Sequence, residues 1–368
     1  MQNTNIAWCD HTHNFWIGCS MDGPDCLNCY AEADMDKHRG IVQWGPTGTR
    51  KRTTERYWDA LRKLNGDKWI ECFGCGWRGN EVDARVDHGS GWECPVCQGS
   101  GFTSTKQRVF TLSLGDMFEK RAELAPWRRD ALLDMVRYNK LTYLVLTKRP
   151  DEAPQMIEDA MPGMGCAGFL ESNPHILIGC SAGNQAGADR RVGHLLNIPG
   201  NSNPWISVEP MIGAVDLTKV TARHQGEAIN ALHKGKTRTR ELQWVIVGGE
   251  SQAGARPMHP AWAEKVLDDC TETGTTFFFK QWGGWLPMSQ MADREPNGEW
   301  KVRPEFASAI KGKEWGTLTV YGDFYPEVHP SEVTSGDPVM VVRVGRKKDP
   351  HTLNGVQHFN WPAGHRWN

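Results

Sequence analysis

The sequence predicts an α/β protein built on a mostly parallel sheet that is covered by helices. Short apolar runs of strand length recur through the middle of the chain, and most are followed by a polar, glycine-containing turn and a stretch of helical character. The runs are almost continuously apolar, which is typical of parallel strands buried on both faces. Because parallel neighbours are joined by crossover connections, the alternation fits either a (β/α) barrel or an open sheet.

The predicted elements follow one another in a regular order. Six runs of aliphatic, β-branched or aromatic residues are predicted as strands: 108–114, 141–146, 175–180, 205–208, 243–247 and 276–280. Helices are predicted over 126–137 and 260–270, each opening with a proline that the first helical turn tolerates. The loops after the strands are polar and rich in glycine: 115–119, 147–150, 181–185, 209–213, 248–251 and 281–284. Such loops carry the working groups in both architectures, although each could also serve only as a turn or a helix cap.

Two regions depart from this alternation and divide the chain. Residues 66–107 contain four cysteines and many glycines without a strand–helix rhythm, which predicts a segment inserted into a main domain of residues 1–290. Residues 291–368 contain several prolines and β-like pieces, which predict a C-terminal extension of irregular or β structure.

The composition of the 368 residues argues against a membrane-spanning protein. Mean hydropathy is −0.55, and no apolar run approaches the roughly 18 residues that a spanning helix needs. The N-terminus lacks the basic and apolar regions of a secretory signal. Eleven cysteines, an odd number that falls largely into tight clusters, favour metal binding inside the cell over disulfides. We therefore expect a cytoplasmic protein with no membrane partner.

A net charge of −2 conceals two basic segments. Lys37–Lys68 holds nine lysines and arginines against three acids, and Lys219–Arg240 holds six basic residues. A solvated surface explains such runs, and so does contact with nucleic-acid phosphates.

The most specific motif is a pair of cysteine knuckles. Cys72 and Cys75 form one C-x2-C unit, Cys94 and Cys97 form the other, and 18 residues separate them. Four thiolates in this arrangement suit the closed tetrahedral site of a structural Zn²⁺, with an iron–sulfur cluster as the alternative. The metal would supply folding energy to a segment too small to build its own core.

A second cysteine set offers only three ligands. Cys19, Cys26 and Cys29 form a C-x6-C-x2-C pattern. A site with three protein ligands leaves a position open to a substrate or cofactor, as sites that carry out chemistry do. The alternative is a second structural zinc with a fourth ligand from a nearby residue: Cys9, His11 or His13.

Short motifs accompany these cysteines in order along most of the chain up to about residue 290. They lie in the ranges 6–14, 19–32, 109–118, 146–150, 178–181, 207–210, 245–251, 255–259 and 278–283, with a last one at 344–348. Together they resemble a phage-associated family of three-cysteine radical SAM proteins. The chain departs from the family's pattern in its longer first cysteine gap, in Cys9 and Phe15 where Thr and Pro are usual, and at Gly183, where an acidic residue is expected.

The resemblance implies a fold and two cofactors. The fold is a partial (β/α) barrel of the radical SAM type. Cys19, Cys26 and Cys29 hold a [4Fe–4S] cluster, and S-adenosylmethionine chelates the fourth iron. One-electron reduction of the cluster cleaves the sulfonium and yields a 5′-deoxyadenosyl radical, which abstracts a hydrogen from the substrate.

The resemblance also assigns contacts to S-adenosylmethionine by position. Ser113 and Asp116 would meet the methionine amino group, Ser181 and Asn184 would reach the ribose, and Glu209 would serve the ribose or the substrate. A purely structural role remains open for each of these residues. Asp116 could cap the next helix, and Ser181 could simply end a strand.

The substrate implied by the resemblance is a base in phage DNA. A radical isomerase of this kind rearranges an amino-acid adduct on the methyl carbon of thymine, in the cytoplasm of the host cell. DNA would be the partner through phosphate contacts, the target base would leave the stack, and a reductase or flavodoxin-type protein would donate electrons. Two alternatives stay open. One is a DNA-binding protein without catalysis that is stabilised by structural zinc, and the other is a radical SAM enzyme acting on a small metabolite or a DNA photoproduct.

Overall fold

A computed structural model describes residues 2–4, 6–84, 91–221, 228–232, 241–296, 299–345 and 350–362. The strands of the described residues are β1 (Gln2–Asn3), β2 (His11–His13), β3 (Trp16–Ile17), β4 (Lys51–Arg52), β5 (Trp69–Cys72), β6 (Arg78–Asn80), β7 (Phe102–Thr105), β8 (Gln107–Thr111), β9 (Leu141–Thr147), β10 (Ile176–Ser181), β11 (Trp205–Val208), β12 (Val220–Thr221), β13 (Ala228–Ile229), β14 (Trp244–Gly248), β15 (Thr276–Gln281), β16 (Trp285–Pro287), β17 (Ala292–Arg294), β18 (Trp300–Val302), β19 (Trp315–Leu318), β20 (Phe324–Pro326) and β21 (Val339–Arg343). The α-helices are α1 (Tyr30–Glu32), α2 (Glu55–Trp58), α3 (Ala60–Gly66), α4 (Leu124–Arg137), α5 (Ala153–Ala160), α6 (Gly165–Ser172), α7 (Gln185–Leu196), α8 (Pro260–Thr273) and α9 (Pro304–Ile310).

The main sheet is curled, and seven of its strands are parallel and form a half barrel. The strand order is β1-β2-β8-β9-β10-β11-β14-β15, in which the short β1 pairs with β2 in the antiparallel direction. Every pairing from β2 to β15 is parallel. This mixed α/β architecture confirms the predicted class, and the curled sheet is compatible with a partial (β/α) barrel.

The sheet buries a different core on each face. On the outer face, helices α4 to α8 and the strands share an extensive apolar cluster that includes Val145 and Phe279. On the inner face, the buried residues are largely aromatic, with Trp8, Trp205 and Trp244 packed side by side at centroid distances of 5.6 and 5.8 Å. Large aromatic rings bury much apolar area each, so a few residues fill the concave side of the half barrel.

Five of the six predicted strands match β9, β10, β11, β14 and β15 within one residue at each end. The sixth corresponds to β8, which ends at Thr111, three residues earlier than predicted. The predicted helices correspond to α4, which begins at Leu124, and to α8, which runs on to Thr273. Strand β2 was not predicted, because its sequence His-Thr-His has no apolar run. It belongs to the sheet through parallel pairing with β8.

The inserted cysteine-rich segment folds as a small antiparallel sheet of three strands in the order β6-β5-β7. Arg78 of β6 fixes this sheet to the half barrel. Its Nη2 donates to the main-chain oxygen of Lys106 at 2.6 Å and lies 3.3 Å from the Asp10 carboxylate. The insertion therefore rests directly against the first strands of the barrel.

The C-terminal region adds antiparallel structure and then returns to the barrel. Strands in the order β16-β21-β19-β20 form one sheet, and β17 and β18 form a hairpin. In the segment 350–362, Phe359 stacks on Phe278 at 4.9 Å and Trp361 packs on Trp244 at 4.6 Å. The Arg108 guanidinium lies 3.4 Å from the Trp361 ring centroid. These contacts cover the aromatic inner face near the amino ends of the strands.

Across the described parts of the chain, no helix has both the length and the apolar character that crossing a lipid bilayer requires.

Candidate functional site

A cavity of about 240 Å³ lies at the carboxyl ends of the parallel strands. Its wall combines residues of the cysteine loop, 19–29, with residues at or just after the ends of β8, β9, β10, β11, β14 and β15. Parallel strands bring their carboxyl ends to one edge, so the loops that follow them converge. The predicted gathering of polar loops on one face is thus confirmed.

The three thiols of the cysteine loop line this cavity together. Burial raises the pKa of the Cys19 thiol to about 12, and burial also raises the pKa of Cys29 against the opposing effect of the Glu32 and Ala31 backbone N–H groups. The next residue, Tyr30, donates its hydroxyl to the main-chain oxygen of Ser113 at 2.6 Å. That bond ties the end of the cysteine loop to the loop after β8.

Two cations from the loop after β9 contact the cysteine loop. Lys148 Nζ lies 3.1 Å from Cys26 Sγ and donates to the main-chain oxygen of Asp25 at 3.2 Å. Arg149 Nη1 lies 3.7 Å from Cys19 Sγ, and its Nη2 donates to the main-chain oxygen of Ser20 at 2.9 Å. Two of the three thiols therefore have a charged donor beside the sulfur.

Asp116 lines the cavity, but its carboxylate is already fully hydrogen bonded. It accepts from the backbone N–H groups of Phe118 and Lys148 at 2.9 and 3.0 Å and from Thr147 Oγ1 at 2.7 Å. Arg149 Nη1 adds an ion pair at 2.9 Å. Asp116 therefore joins the loops after β8 and β9. It does not cap the next helix, α4, as the structural alternative had it, because the N-cap residue there is Glu123.

Glu209 and Lys280 form an ion pair at the inner wall, with Nζ 2.8 Å from Oε1. The other carboxylate oxygen accepts from Ser207 Oγ at 2.9 Å and from Trp8 Nε1 at 3.1 Å. A Cβ at Gly248 would lie only 2.8 Å from Glu209 Oε1, so any other residue at that position of β14 would require the carboxylate to shift. The pair spans β14, because Glu209 follows β11 and Lys280 belongs to β15, and both residues line the cavity.

Glu250, in the loop after β14, also contacts the cysteine loop. Its carboxylate accepts from Asn28 Nδ2 at 2.9 Å and pairs with Arg256 Nη2 at 2.7 Å. Burial works against the charged form, yet the Arg256 and Asn28 hydrogen bonds lower the pKa of Glu250. Arg256 in turn donates to the main-chain oxygen of Pro24 at 3.1 Å.

The two residues expected at the ribose lie in different environments. Ser181 lines the cavity at the end of β10, and its main-chain oxygen accepts from Arg191 at 2.9 Å. Asn184 is not among the cavity-lining residues of the described chain, and its Oδ1 instead accepts from the Gly187 N–H at 3.0 Å as the N-cap of α7. The structure thus gives Asn184 a capping role.

The three candidate fourth ligands do not join the cysteine loop. The Cys9 thiol lies 3.8 Å from the main-chain oxygen of Ile6, and a His11 ring nitrogen lies 2.7 Å from Gln107 Oε1. The His13 ring stacks on Tyr57 at 4.8 Å. None of the three lines the cavity within the described residues, so the alternative of a second zinc with one of these ligands finds no support.

The four knuckle cysteines converge on one point. Their sulfurs all lie within 4.8 Å of one another, with Cys72 and Cys97 3.5 Å apart and Cys75 and Cys94 3.6 Å apart. A tetrahedral Zn²⁺ with Zn–S bonds of about 2.3 Å implies an S···S separation of about 3.8 Å. The group could therefore hold a single metal ion such as zinc, and four thiols this close leave no room for a multi-iron cluster between them.

The basic segments are less available to a partner than their charge indicates. Arg50 is buried and forms a bidentate pair with Glu119, at 2.5 and 2.7 Å. Arg52 pairs with Glu55 and lies over the Trp58 ring. Arg50 cannot act as a surface phosphate contact, because a buried cation needs its partner inside the protein. Most of the second segment, at 222–227 and 233–240, lies outside the described residues.

Sequence reasoning overlooked several residues of the cavity. Lys148 and Arg149 stood within a recognised loop, but nothing in the sequence paired them with particular cysteines. Lys280 is the last residue of a predicted strand, and Glu250 lies in the loop after another. Neither residue was given a role from the sequence. The available signal was position alone, since charged residues directly after buried parallel strands lie at the working edge of the sheet.

The sequence model of a protein family described as "Protein of unknown function (DUF5131)" matches residues 3–362. No curated protein and no solved structure matches the chain significantly. The matched stretch runs from β1 to the last described residue and includes every segment of the cavity wall.

Proposed function

This chain belongs to the DUF5131 family of proteins of unknown function, and from the chemistry of its cavity we propose that it is a radical SAM enzyme, an isomerase. The observation that carries the proposal is the convergence of three thiols on one cavity at the carboxyl edge of a parallel half barrel. Cys19, Cys26 and Cys29 would be the protein ligands of a [4Fe–4S] cluster, and the barrel would then be of the radical SAM type.

The donor set of the cysteine loop fits such a cluster better than it fits a single zinc ion. Thiolates are the ligands of iron–sulfur clusters, and three of them leave one iron free to bind a small molecule. In the part of the chain that the structure describes, the three thiols do not form a group whose sulfurs all lie within 4.8 Å of one another, unlike the knuckle cysteines. At least one pair of these sulfurs is therefore farther apart than any pair in the knuckles, as the ligands of a multi-iron group would be.

When bound, the cluster would pass one electron to S-adenosylmethionine and break its C5′–S bond, giving methionine and a 5′-deoxyadenosyl radical. The chain's own residues would bind and orient. Ser113 and Asp116 would lie at the methionine end, Ser181 at the ribose, and the Glu209–Lys280 pair at the ribose or the substrate. The aromatic inner face would keep water from the radical.

We propose a thymine that carries an amino-acid adduct on its methyl carbon, within DNA, as the substrate. Seven exposed cations support contact with backbone phosphates: Lys37, Arg39, Lys51, Arg56, Arg62, Lys63 and Lys68. The target base would have to leave the stack to enter the cavity. A reductase or flavodoxin-type protein would supply the electron, and the knuckle cysteines would hold a structural Zn²⁺.

The deciding experiment is anaerobic reconstitution with iron and sulfide, followed by metal and sulfide analysis and measurement of 5′-deoxyadenosine. We expect a brown protein that cleaves S-adenosylmethionine under reducing conditions. Cys19→Ala, Cys26→Ala and Cys29→Ala should each abolish cleavage while circular dichroism remains that of the folded protein.

Cys270→Ala is the control, because this thiol is buried in α8 and does not line the cavity. It should leave iron content and cleavage unchanged. A wild-type protein that takes up only zinc and remains colourless would overturn the proposal and favour a DNA-binding role without catalysis.

A further inference from the structure

The thiols of the cysteine loop differ in the hydrogen-bond donors that surround them. Lys148 Nζ lies 3.1 Å from Cys26 Sγ, and Arg149 Nη1 lies 3.7 Å from Cys19 Sγ. Cys29, at the start of α1, receives uncharged backbone N–H groups from Ala31 and Glu32. Each of the two charged donors comes from the same loop after β9, and both side chains are largely buried.

We propose that Lys148 and Arg149 set the reduction potential of the cluster assigned to this loop, holding it less negative than thiolate ligation alone would give. The inference rests on the proposed function, because it requires a cluster on Cys19, Cys26 and Cys29. Hydrogen bonds to the sulfurs and the net charge nearby are the protein's means of adjusting such potentials. A cation beside a sulfur stabilises the reduced, more negative state more than the oxidised one, and partial burial strengthens that effect.

Other cations also contact the cysteine loop, but they do so through carboxylates and not through a sulfur. Arg190 and Arg191 also bind the cysteine loop, but through the Asp22 carboxylate, at 2.6 and 2.7 Å. Lys148 is shared with the Asp25 carboxylate at 3.1 Å, and Asp25 retains Arg191 at 2.9 Å when Lys148 is removed. Neutralising Lys148 therefore removes the sulfur's donor without leaving Asp25 unpaired.

The test is an EPR-monitored redox titration of the reconstituted protein with dithionite, with the iron and sulfide content measured for each variant. Lys148→Met should keep the cluster and make its potential more negative, so that the ratio of reduced to oxidised cluster at a fixed potential falls about tenfold, equal to about 59 mV for a one-electron couple. Arg149→Met should shift the potential in the same direction by less, because its contact is longer. Lys148→Arg should restore the wild-type potential, since it keeps a cationic donor.

Arg190→Met is the control, because it removes a positive charge of α7 that contacts the cysteine loop through Asp22, without removing a donor to sulfur. Its potential should equal that of the wild type. If Lys148→Met does not hold a cluster, Lys148→Gln takes its place with the same expected shift. Loss of the cluster in every neutral variant would overturn the inference, because the cations would then serve assembly and not potential.

The outcomes separate this inference from the proposed function. A wild-type protein that binds no iron and sulfide would overturn both. A wild-type protein that holds the cluster and cleaves S-adenosylmethionine, together with an unshifted potential in Lys148→Met and Arg149→Met, would overturn this inference alone. A shift of equal size in Arg190→Met would also overturn it, since general charge and not contact with sulfur would be responsible.

Discussion

The Arg50 guanidinium and the Glu119 carboxylate form a bidentate ion pair in the interior, with N···O distances of 2.5 and 2.7 Å and side chains 0% and 4% exposed. The pair joins the residue directly before β4 to the loop after β8. Ser20 Oγ also donates to Glu119, at 2.6 Å, so the pair supports the beginning of the cysteine loop. A residue counted from the sequence as part of a basic surface is thus part of the protein's interior.

We predict that Arg50→Met lowers the free energy of unfolding by about 3–5 kcal/mol, because it leaves a buried carboxylate without its partner. Urea denaturation followed by circular dichroism measures this. Lys51→Met, which removes an exposed charge from the adjacent residue, should change the value by less than about 0.5 kcal/mol. The double variant Arg50→Met/Glu119→Leu should recover much of the loss. Equal stability of Arg50→Met and Lys51→Met would contradict the prediction.

The misjudgement of Arg50 illustrates what the sequence could and could not provide. The parallel strands β8 to β11, β14 and β15 could be predicted, because buried parallel strands are apolar throughout and their signal is local. Strand β2 could not, because its place depends on pairing with β8, almost 100 residues away. The knuckle cysteines were recognisable from spacing alone, since their ligands lie close together within each pair.

The cavity was predictable only in outline. The sequence placed Ser113, Asp116, Ser181 and Glu209 at strand ends, and all four line the cavity. It could not show that the Asn184 side chain is already hydrogen bonded as the N-cap of α7, whereas Ser181 lines the cavity. Contacts such as that between Lys148 and Cys26 span 122 residues and depend on the assembled sheet.

We predict that the knuckle cysteines hold about one zinc ion per chain, independently of the cysteine loop. A variant in which Cys19, Cys26 and Cys29 are all alanine should retain that zinc, whereas Cys94→Ala should lose it and destabilise the three-stranded sheet. Burial raises the pKa of Cys94, but hydrogen bonds from the backbone N–H groups of Cys97 and Val96 outweigh it and lower the pKa of this thiol. Metal analysis by mass spectrometry checks this, and iron with sulfide in the triple variant would contradict it.

We predict that Asn184→Ala costs about 1 kcal/mol of unfolding free energy, because it removes the N-cap of α7. Its effect on the dissociation constant of S-adenosylmethionine should be small. Ser181→Ala, at the cavity, should show the opposite pattern. Equilibrium dialysis and urea denaturation of both variants provide the comparison. A large loss of S-adenosylmethionine binding in Asn184→Ala, at unchanged stability, would restore the ribose contact expected from the resemblance.

We predict a pH-dependent contribution of Glu250 to stability. Its folded pKa lies below its ordinary value of 4.5, because Arg256 and Asn28 bind the carboxylate. The stabilisation is therefore fully present above pH 4.5 and is lost as pH falls through the lower, folded pKa. Glu250→Gln should be about 2 kcal/mol less stable than the wild type at pH 7, and this difference should shrink as pH falls below 4.5. Urea denaturation at a series of pH values tests this, and a difference that is constant with pH would contradict it.

The remaining prediction concerns DNA. If the substrate is a modified base in a duplex, exposed cations of the segment Lys37–Lys68 neutralise backbone phosphates. Affinity should then fall steeply with salt, with log K decreasing by about 0.9 per phosphate contact against log salt concentration. The variant Lys51→Gln/Arg62→Gln/Lys63→Gln should bind every DNA sequence more weakly and should flatten this slope, because phosphate contacts carry no base information. Fluorescence anisotropy over a salt series measures both quantities.

A second triple variant, Lys301→Gln/Lys311→Gln/Lys313→Gln, removes the same charge from exposed positions of the C-terminal region and should leave the slope unchanged. Arg50 is omitted because its substitution would disturb the fold and not the surface.

Turnover should follow binding: an amino-acid adduct of thymine in duplex DNA should react far faster than the same adduct as a free nucleoside, since only the duplex offers the phosphates. Equal turnover of the two, with no salt-dependent binding, would rule out DNA as the substrate and support a small molecule, because a free nucleoside would then satisfy the cavity alone.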